Sequence, residues 1–336
     1  MKPSNDDTEA PSDTSLRGLD NEAQQLTLPC VMTFNANDPS GAGGLCADIT
    51  AMSSASVHVL PVVAALLIRD TSHIQDHIAL DEDAVTEQAR VALEDIEVGA
   101  FKVGFLGNPT LVSAVAHITN DYEDIPVVAY MPDLAWMDEL ELDNYLDAFA
   151  DLMLPQTAVL VGNYNTLCRW LLPDWTHDKP PSPRDVARAA TDRGAVYTLV
   201  TGMNAPDQFL ENHLATAETI LATAKFERFE TVFTGAGDTV SASLCALLAT
   251  GEDLQSACAE ALTYLDQSLD AGFAPGMGHA LPDRMFWARE DVDETEVDEV
   301  NDGGSDNAAT PGDVNDDPTL ADPTHLNHLP PNQTKH

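Results

Sequence analysis

Thr234-Gly235-Ala236-Gly237-Asp238-Thr239 runs directly into the apolar-periodic segment Val240 to Leu248, and the reading of this stretch decides the reading of the chain. Gly235 and Gly237 let the backbone turn tightly and bring N–H groups close to an anion. A helix behind them adds unpaired amides and the positive end of its dipole. Asp238, at the mouth of that helix, is placed to take a proton from an attacking hydroxyl. Together these features suit phosphoryl transfer. The same residues also describe a glycine turn capped by Asp or Thr, the way many helices begin. On its own the hexapeptide leaves both readings open.

Working outward, short β-branched runs alternate with longer helical patterns. Strands are expected at 29–34, 57–68, 100–103, 127–130, 158–161 and 196–200, with a small antiparallel section at 219–233. Helices are expected at 45–56, 83–95, 109–120, 140–154, 184–193, 239–250 and 254–271. Over 83–95, for example, Val85, Ala89, Ala92 and Leu93 share one face and the acids face out. Repeated β-then-α units imply an α/β fold with a mostly parallel sheet covered on both faces. In such sheets ligands bind beyond the carboxyl ends of the strands. There the turn Asn37-Asp38-Pro39-Ser40-Gly41-Ala42-Gly43-Gly44, the Gly104 to Asn108 turn, Asn163, Gly202 and the opening hexapeptide are expected to converge.

The chain has 336 residues, with 56 acids against 15 Lys and Arg and a net charge of −41. That balance argues against nucleic acid or an anionic membrane as partner, since both need a basic footprint. Five cysteines are scattered without a CxxC pair, which disfavours a disulfide framework or a zinc site. No stretch has the apolar run of a signal peptide or a membrane span. A soluble, cytoplasmic protein is therefore expected. The polar, acidic ends, residues 1–27 and 290–336, read as disordered tails around one folded domain at 28–289.

Neither glycine turn fits a better-known nucleotide pattern. The Asn37–Gly44 turn has no Lys to make a GxxxxGK[ST] loop, and GxGxxG cannot be laid on it. Its weight comes from its pairing with Gly235–Asp238, since two glycine loops at one sheet edge suit a small molecule on one side and a triphosphate on the other. Lys102 reads as an ordinary strand lysine, Asp48 as a solvated or capping acid, and His279 as structural.

Five segments together resemble the hydroxymethylpyrimidine/phosphomethylpyrimidine kinases of thiamine biosynthesis, in the ribokinase-like superfamily. They are VMTFNANDPSGAGGLCADI (31–49), AFKVGFLG (100–107), LLPQTAVLVGN (near 153–163), TGAGDTVSASL (234–244) and GFAPGMGHALPDRMFWARE (272–290). The resemblance implies a ribokinase-like sheet flanked by helices, ATP with Mg²⁺, and transfer of the γ-phosphoryl to a pyrimidine hydroxymethyl group. It implies Asp238 as base and Gly235, Ala236 and Gly237 as the anion hole. Asp48 is expected to face the pyrimidine, with Ala36, Leu67, Arg69 and Phe105 around it. Asn163, Thr201 and Gly202 are expected at the ATP–Mg²⁺ end. A homodimer is left open.

The sequence departs from that family at several of these positions. The family's pyrimidine-reading Gln is Arg69, a donor-only cation. Its Leu-Asp-Pro-Val is Ala129-Tyr130-Met131-Pro132, and its Thr-Pro-Asn-x-x-Glu is Val161-Gly162-Asn163-Tyr164-Asn165-Thr166, which keeps the Asn and loses the magnesium-organising Glu. A Lys frequent before Gly-Gly-His is Thr201. Two other readings therefore stay open: a kinase for another ring alcohol such as pyridoxal, and a non-catalytic ligand-binding descendant.

Overall fold

The computed structural model describes residues 28–289. Both expected acidic tails lie outside the described residues. Among the described residues no helix is long and apolar enough to cross a membrane.

The strands are β1 (Cys30–Asn37), β2 (His58–Arg69), β3 (Ile74–Ala79), β4 (Ala100–Val103), β5 (Val127–Met131), β6 (Val159–Asn163), β7 (Tyr197–Asn204), β8 (Phe209–Ala215) and β9 (Ile220–Glu227). They form one sheet in the order β3-β2-β1-β4-β5-β6-β7-β8-β9. The six strands from β2 to β7 in that row pair in parallel, and β3, β8 and β9 join antiparallel at the two edges. The chain passes from β1 outward to β2 and later returns to the other side of β1 as β4. The carboxyl ends of β1 and β4 thus flank a topological switch point, where α/β sheets open a crevice.

The helices are α1 (Gly44–Ser54), α2 (Glu82–Leu93), α3 (Pro109–Asn120), α4 (Glu139–Ala148), α5 (Tyr164–Leu171), α6 (Pro183–Thr191), α7 (Ala236–Ala249) and α8 (Leu254–Asp270). Alternate strand residues face opposite sides, so the sheet carries two cores. Met32, Phe34, Phe101 and Val103 pack with Val85 of α2, Leu111 of α3 and Val186 of α6. Val31, Ala100, Val128 and Val161 pack with Met52 of α1, Val240 and Leu244 of α7, and Ala257 of α8. Phe34 and Phe101 are fully buried, and burying a side chain of this kind contributes about 1.5–3 kcal/mol.

The strand–helix alternation matches the expectation, and the differences have local causes. The segments of β3 (IQDHIA) and β8 (FLENHLA) carry too many polar residues to show apolar alternation. Helix α5 starts at its own cap, where the Asn163 side chain accepts from the Asn165 N–H, immediately after β6. The helix expected over 140–154 ends as α4 at Ala148 and continues as a wide π turn and a 3₁₀ turn, where Pro155 supplies no N–H. Strand β1 runs on to Asn37, which carries Asn35 and Ala36 to the sheet edge.

Candidate active site

Two glycine loops meet at the switch point, one between β1 and α1 and the other ahead of α7. Gly235 caps α7 with φ +93, a left-handed conformation that favours glycine. A Cβ there would also collide with the Ala42 carbonyl oxygen of the first loop. The contact locks the two loops together and leaves the first turn of α7 facing the crevice, with Asp238 in it.

Below this turn lies a buried polar network that begins on the sheet. Lys102, in β4, is completely buried; its Nζ lies 2.7 Å from Asp48 Oδ1 and 2.9 Å from Asp238 Oδ1. Asn35 is saturated. Its Nδ2 donates to Asp48 Oδ2 (2.9 Å) and Asp238 Oδ1 (3.0 Å), and its Oδ1 accepts from the Ala36 and Phe105 N–H groups. Thr33 Oγ1 donates to Asp48 Oδ2 at 2.7 Å. Burial pushes the Asp238 carboxyl up, but the Lys102 charge and the hydrogen bonds from Lys102, Asn35 and the Gly44 N–H outweigh it and hold it below the usual carboxylate range. Burial of Asp48, with the neighbouring Asp238 charge, raises that carboxyl despite Lys102. Burial opposes the charge on Lys102 as well, yet Asp238 and Asp48 raise its pKa.

The placement of Asp48 corrects an expectation. It does not face the crevice, because Leu45, Asp48 and Met52 share the face of α1 that packs on the sheet. Its carboxylate supports Lys102 from behind. The reading of Lys102 as an ordinary strand lysine is likewise corrected. A lone Lys in an otherwise apolar central strand (AFKV) was the available signal, since a cation buried there needs partners.

Two cavities open above the network. The larger, about 560 Å³, is lined by Ala36, Leu67, Arg69, Phe105, Gly235, Ala236, Gly237 and Asp238 among others. Its aromatic wall joins Phe105 to Trp136 (ring centroids 5.6 Å apart) and His77 (5.2 Å). Arg69 Nη1 is 3.2 Å from Asp38 Oδ2, and Arg69 Nε donates to the Asp70 carbonyl. Asp38 also accepts from the Ser40 N–H and hydroxyl and from the Gly43 N–H, so its lone pairs are largely taken. Trp136 Nε1 is buried with no acceptor among the described residues. His279, whose Nδ1 is 2.9 Å from Thr234 Oγ1, also borders this cavity.

The smaller cavity, about 190 Å³, is lined by Asn163, Thr201, Gly202, Leu210, Phe226, Leu262, Leu265 and, again, Ala236. Gly202 N–H donates to Asn212 Oδ1 (3.0 Å), and Thr201 Oγ1 donates to the Gly162 carbonyl (3.2 Å). The structure thus brings the site residues expected from the sequence, Asp48 apart, to two adjoining spaces that share Ala236. Thr166 is buried near the start of α5. Among the described residues no three His, Cys, Asp or Glu side chains could hold a metal. The oxygen donors that border the two cavities, Asn163 and Asp133, are of the type a hard cation takes.

Sequence reading gave no role to Lys102, Asn35 or Arg284. The Arg284 guanidinium is buried and donates to Thr239 Oγ1 at 2.8 Å, to the Gly41 carbonyl at 3.2 Å, to the Ala42 carbonyl, and to the Gly235 carbonyl at 3.4 Å.

Comparison with known proteins agrees with this geometry. A relative in Streptomyces coelicolor, a hydroxymethylpyrimidine/phosphomethylpyrimidine kinase, is 26% identical over 261 residues, 75% of this chain and 93% of its own. Another of that name in Mycobacterium bovis is 26% identical over 270 residues, covering 78% and 95%. The solved ADP complex of Bacillus subtilis pyridoxal kinase superposes with a TM-score of 0.70 at 19% identity, over 79% of this chain and all of that one, and shows that the ribokinase-like fold is shared. The family pattern described as phosphomethylpyrimidine kinase matches residues 38–283, well over half of the sequence. The chain belongs to the phosphomethylpyrimidine kinase family.

Proposed function

We propose that the protein transfers the γ-phosphoryl group of ATP to the hydroxymethyl group of 4-amino-5-hydroxymethyl-2-methylpyrimidine, and in a second round to its monophosphate. One observation carries the reading: Asp238 and the Gly235–Gly237 turn stand where the two cavities adjoin, with Ala236 lining both. A ring alcohol in the larger space and a triphosphate reaching in from the smaller one would present hydroxyl and γ-phosphorus to each other at this turn.

In the reaction the hydroxyl oxygen bonds to the γ-phosphorus as the bond from phosphorus to the β–γ bridging oxygen breaks, and ADP leaves. The hydroxyl proton passes to the Asp238 carboxylate, kept ionised by Lys102. Amides of the Gly235–Gly237 turn and the α7 dipole stabilise charge on the transferring group. Phosphoryl transfer asks little more of a protein than such positioning and electrostatics. Mg²⁺ bound to the triphosphate would offset its negative charge. Asn163 and the exposed Asp133, which borders the larger cavity, are the residues suited to hold it.

Purified protein with ATP, Mg²⁺ and the pyrimidine alcohol should release ADP, and should form the diphosphate on longer incubation. Absence of ADP release with every ring alcohol tried would overturn the kinase reading. A second reading has its own observation. Asp38 is saturated and Arg69 and Trp136 offer only donors, so this wall suits a ring that presents acceptors, as a pyridoxal-like alcohol does. Faster ADP release with pyridoxal than with the aminopyrimidine would favour it.

A further inference from the structure

Arg284 lies one residue beyond the matched family span and outside both cavity walls. Its guanidinium nevertheless reaches the back of both glycine loops. It donates to carbonyl oxygens of Gly41 and Ala42 in the first loop, and to the Gly235 carbonyl and Thr239 Oγ1 in the second. Thr239 Oγ1 in turn donates to the Gly235 carbonyl at 2.8 Å. Among the described residues no carboxylate pairs with Arg284 at ion-pair distance, so its donors are spent on backbone and hydroxyl oxygens. The residue is fixed from its own backbone: Ser54 Oγ in α1 and Tyr264 OH in α8 both donate to the Arg284 carbonyl, at 2.9 and 2.7 Å.

In a trans peptide the C=O and the following N–H point in opposite directions. The Gly235 carbonyl is held on the inner side by the Thr239 N–H at 3.0 Å and the Thr239 hydroxyl at 2.8 Å, with Arg284 behind them at 3.4 Å, which turns the Ala236 N–H outward, toward the place where the two cavities adjoin. Hydrogen bonds in series also polarise one another. A guanidinium on the oxygen makes the amide a stronger donor to an anion on the other side.

We propose that Arg284 is a positioning residue of the anion hole, which orients and polarises the Gly235–Ala236 peptide toward the transferring phosphoryl group and pins the first glycine loop against it. The inference rests on the kinase reading. It adds that the hole is built from behind by a charge that never touches substrate.

The test uses the full chain and the variants Arg284→Ala, Arg284→Lys and, as a structural control, Leu111→Ala. Arg284→Ala should lower kcat about 10- to 100-fold, less than or comparable to the loss of a direct anion-hole donor, with KM for the ring alcohol changed less than about threefold. Added methylguanidinium should restore kcat in a saturable way. Arg284→Lys keeps charge without the fork and should fall between. Leu111→Ala, in the core on the other face of the sheet and outside both cavity walls, should lower the melting temperature and leave kcat within about twofold.

A second readout needs no acceptor. Thermal stabilisation by ADP and Mg²⁺ should increase when aluminium fluoride, a mimic of the moving phosphoryl, is added to the wild type, and Arg284→Ala should lose that increment while keeping the ADP shift. The same fluoride increment in wild type and Arg284→Ala would overturn the inference. So would restoration of melting temperature by methylguanidinium with kcat still depressed. A wild type without any fluoride increment or ADP release would instead defeat the kinase reading itself. If Arg284→Ala does not fold, Arg284→Lys decides: wild-type kcat and fluoride increment there would contradict a role for the fork.

Discussion

The two cavities that adjoin at Ala236 are built by opposite means. The larger one has an ionic floor assembled from four distant parts of the chain: Asn35 on β1, Asp48 on α1, Lys102 on β4 and Asp238 on α7. Every member has its partners, and the charges are almost wholly removed from water. The smaller one, set against the antiparallel edge and α8, is mostly Leu210, Phe226, Leu262 and Leu265, with Asn163, the Thr201–Gly202 backbone, Asn212, Glu227 and Asp266 as polar points. A floor of paired charges holds one carboxylate in one place and one protonation state. An apolar slot with a few polar points holds a flat group by shape, and tolerates change. Under the proposed function, the difference teaches that chemistry would depend on a network whose failure is cooperative, and nucleotide binding on contacts whose failures are graded.

The largest way to break the comparison is Lys102→Met. It leaves Asp48 and Asp238 without their shared cation, and a change of this kind costs about 3–5 kcal/mol. The urea midpoint should fall accordingly and turnover should drop to a small residual level. Adding Asp48→Asn removes one stranded charge, and should recover much of the stability without the activity. Recovery of both would show that Lys102 serves only the fold.

Next comes pH. A carboxylate with a depressed pKa is ionised, and able to accept a proton, at every pH above that value, and loses this as pH falls through it. The acid limb of kcat in the wild type should therefore lie below the ordinary Asp value of about 3.9, as far as the fold survives. Any residual turnover of the Lys102→Met/Asp48→Asn double variant should show that limb moved to higher pH. An unmoved limb would mean that Lys102 does not tune the base. Tyr130, Arg284 and Asp48 also face this carboxylate electrostatically and stay in place in the comparison, apart from the Asp48 change itself.

On the apolar side, Phe226→Ala should raise KM for ATP about tenfold, roughly 1.4 kcal/mol, with kcat unchanged. A drop in kcat at saturating ATP would contradict the division of labour. The smallest effect is expected at Thr201→Ala, where a hydroxyl whose bond is to the Gly162 carbonyl is lost. A change in KM for ATP of two- to threefold would fit; a tenfold change would mean that Thr201 contacts the nucleotide directly.

What could be read without coordinates follows the range of each interaction. The Gly235–Asp238 turn is local chemistry, with glycines, acid and helix start adjacent in the chain, so its form is visible in six letters. The α/β alternation is legible for the same reason, while β3 and β8 escape because their sequences, IQDHIA and FLENHLA, carry too many polar residues to show apolar alternation. Asp48 misleads because its role turns on which way one helix faces the sheet, and that is a tertiary fact. Lys102 stands out as a charge in an apolar strand, yet its partners are 54 and 136 residues away. Arg284 gives no sign in its own neighbourhood; apart from the Thr239 hydroxyl its acceptors are carbonyls up to 243 residues distant, which carry no residue signature.

The central claim is that Asp238, fixed by this network where the cavities adjoin, accepts the proton while the nucleotide is held elsewhere. Rapid-quench single-turnover transfer of labelled γ-phosphate to the ring alcohol tests it directly, with wild type and Asp238→Asn both saturated with ATP. The account predicts a fall in transfer rate of about 10²–10⁴-fold, with ATP affinity within about threefold of wild type. Transfer by Asp238→Asn at close to the wild-type rate would contradict it.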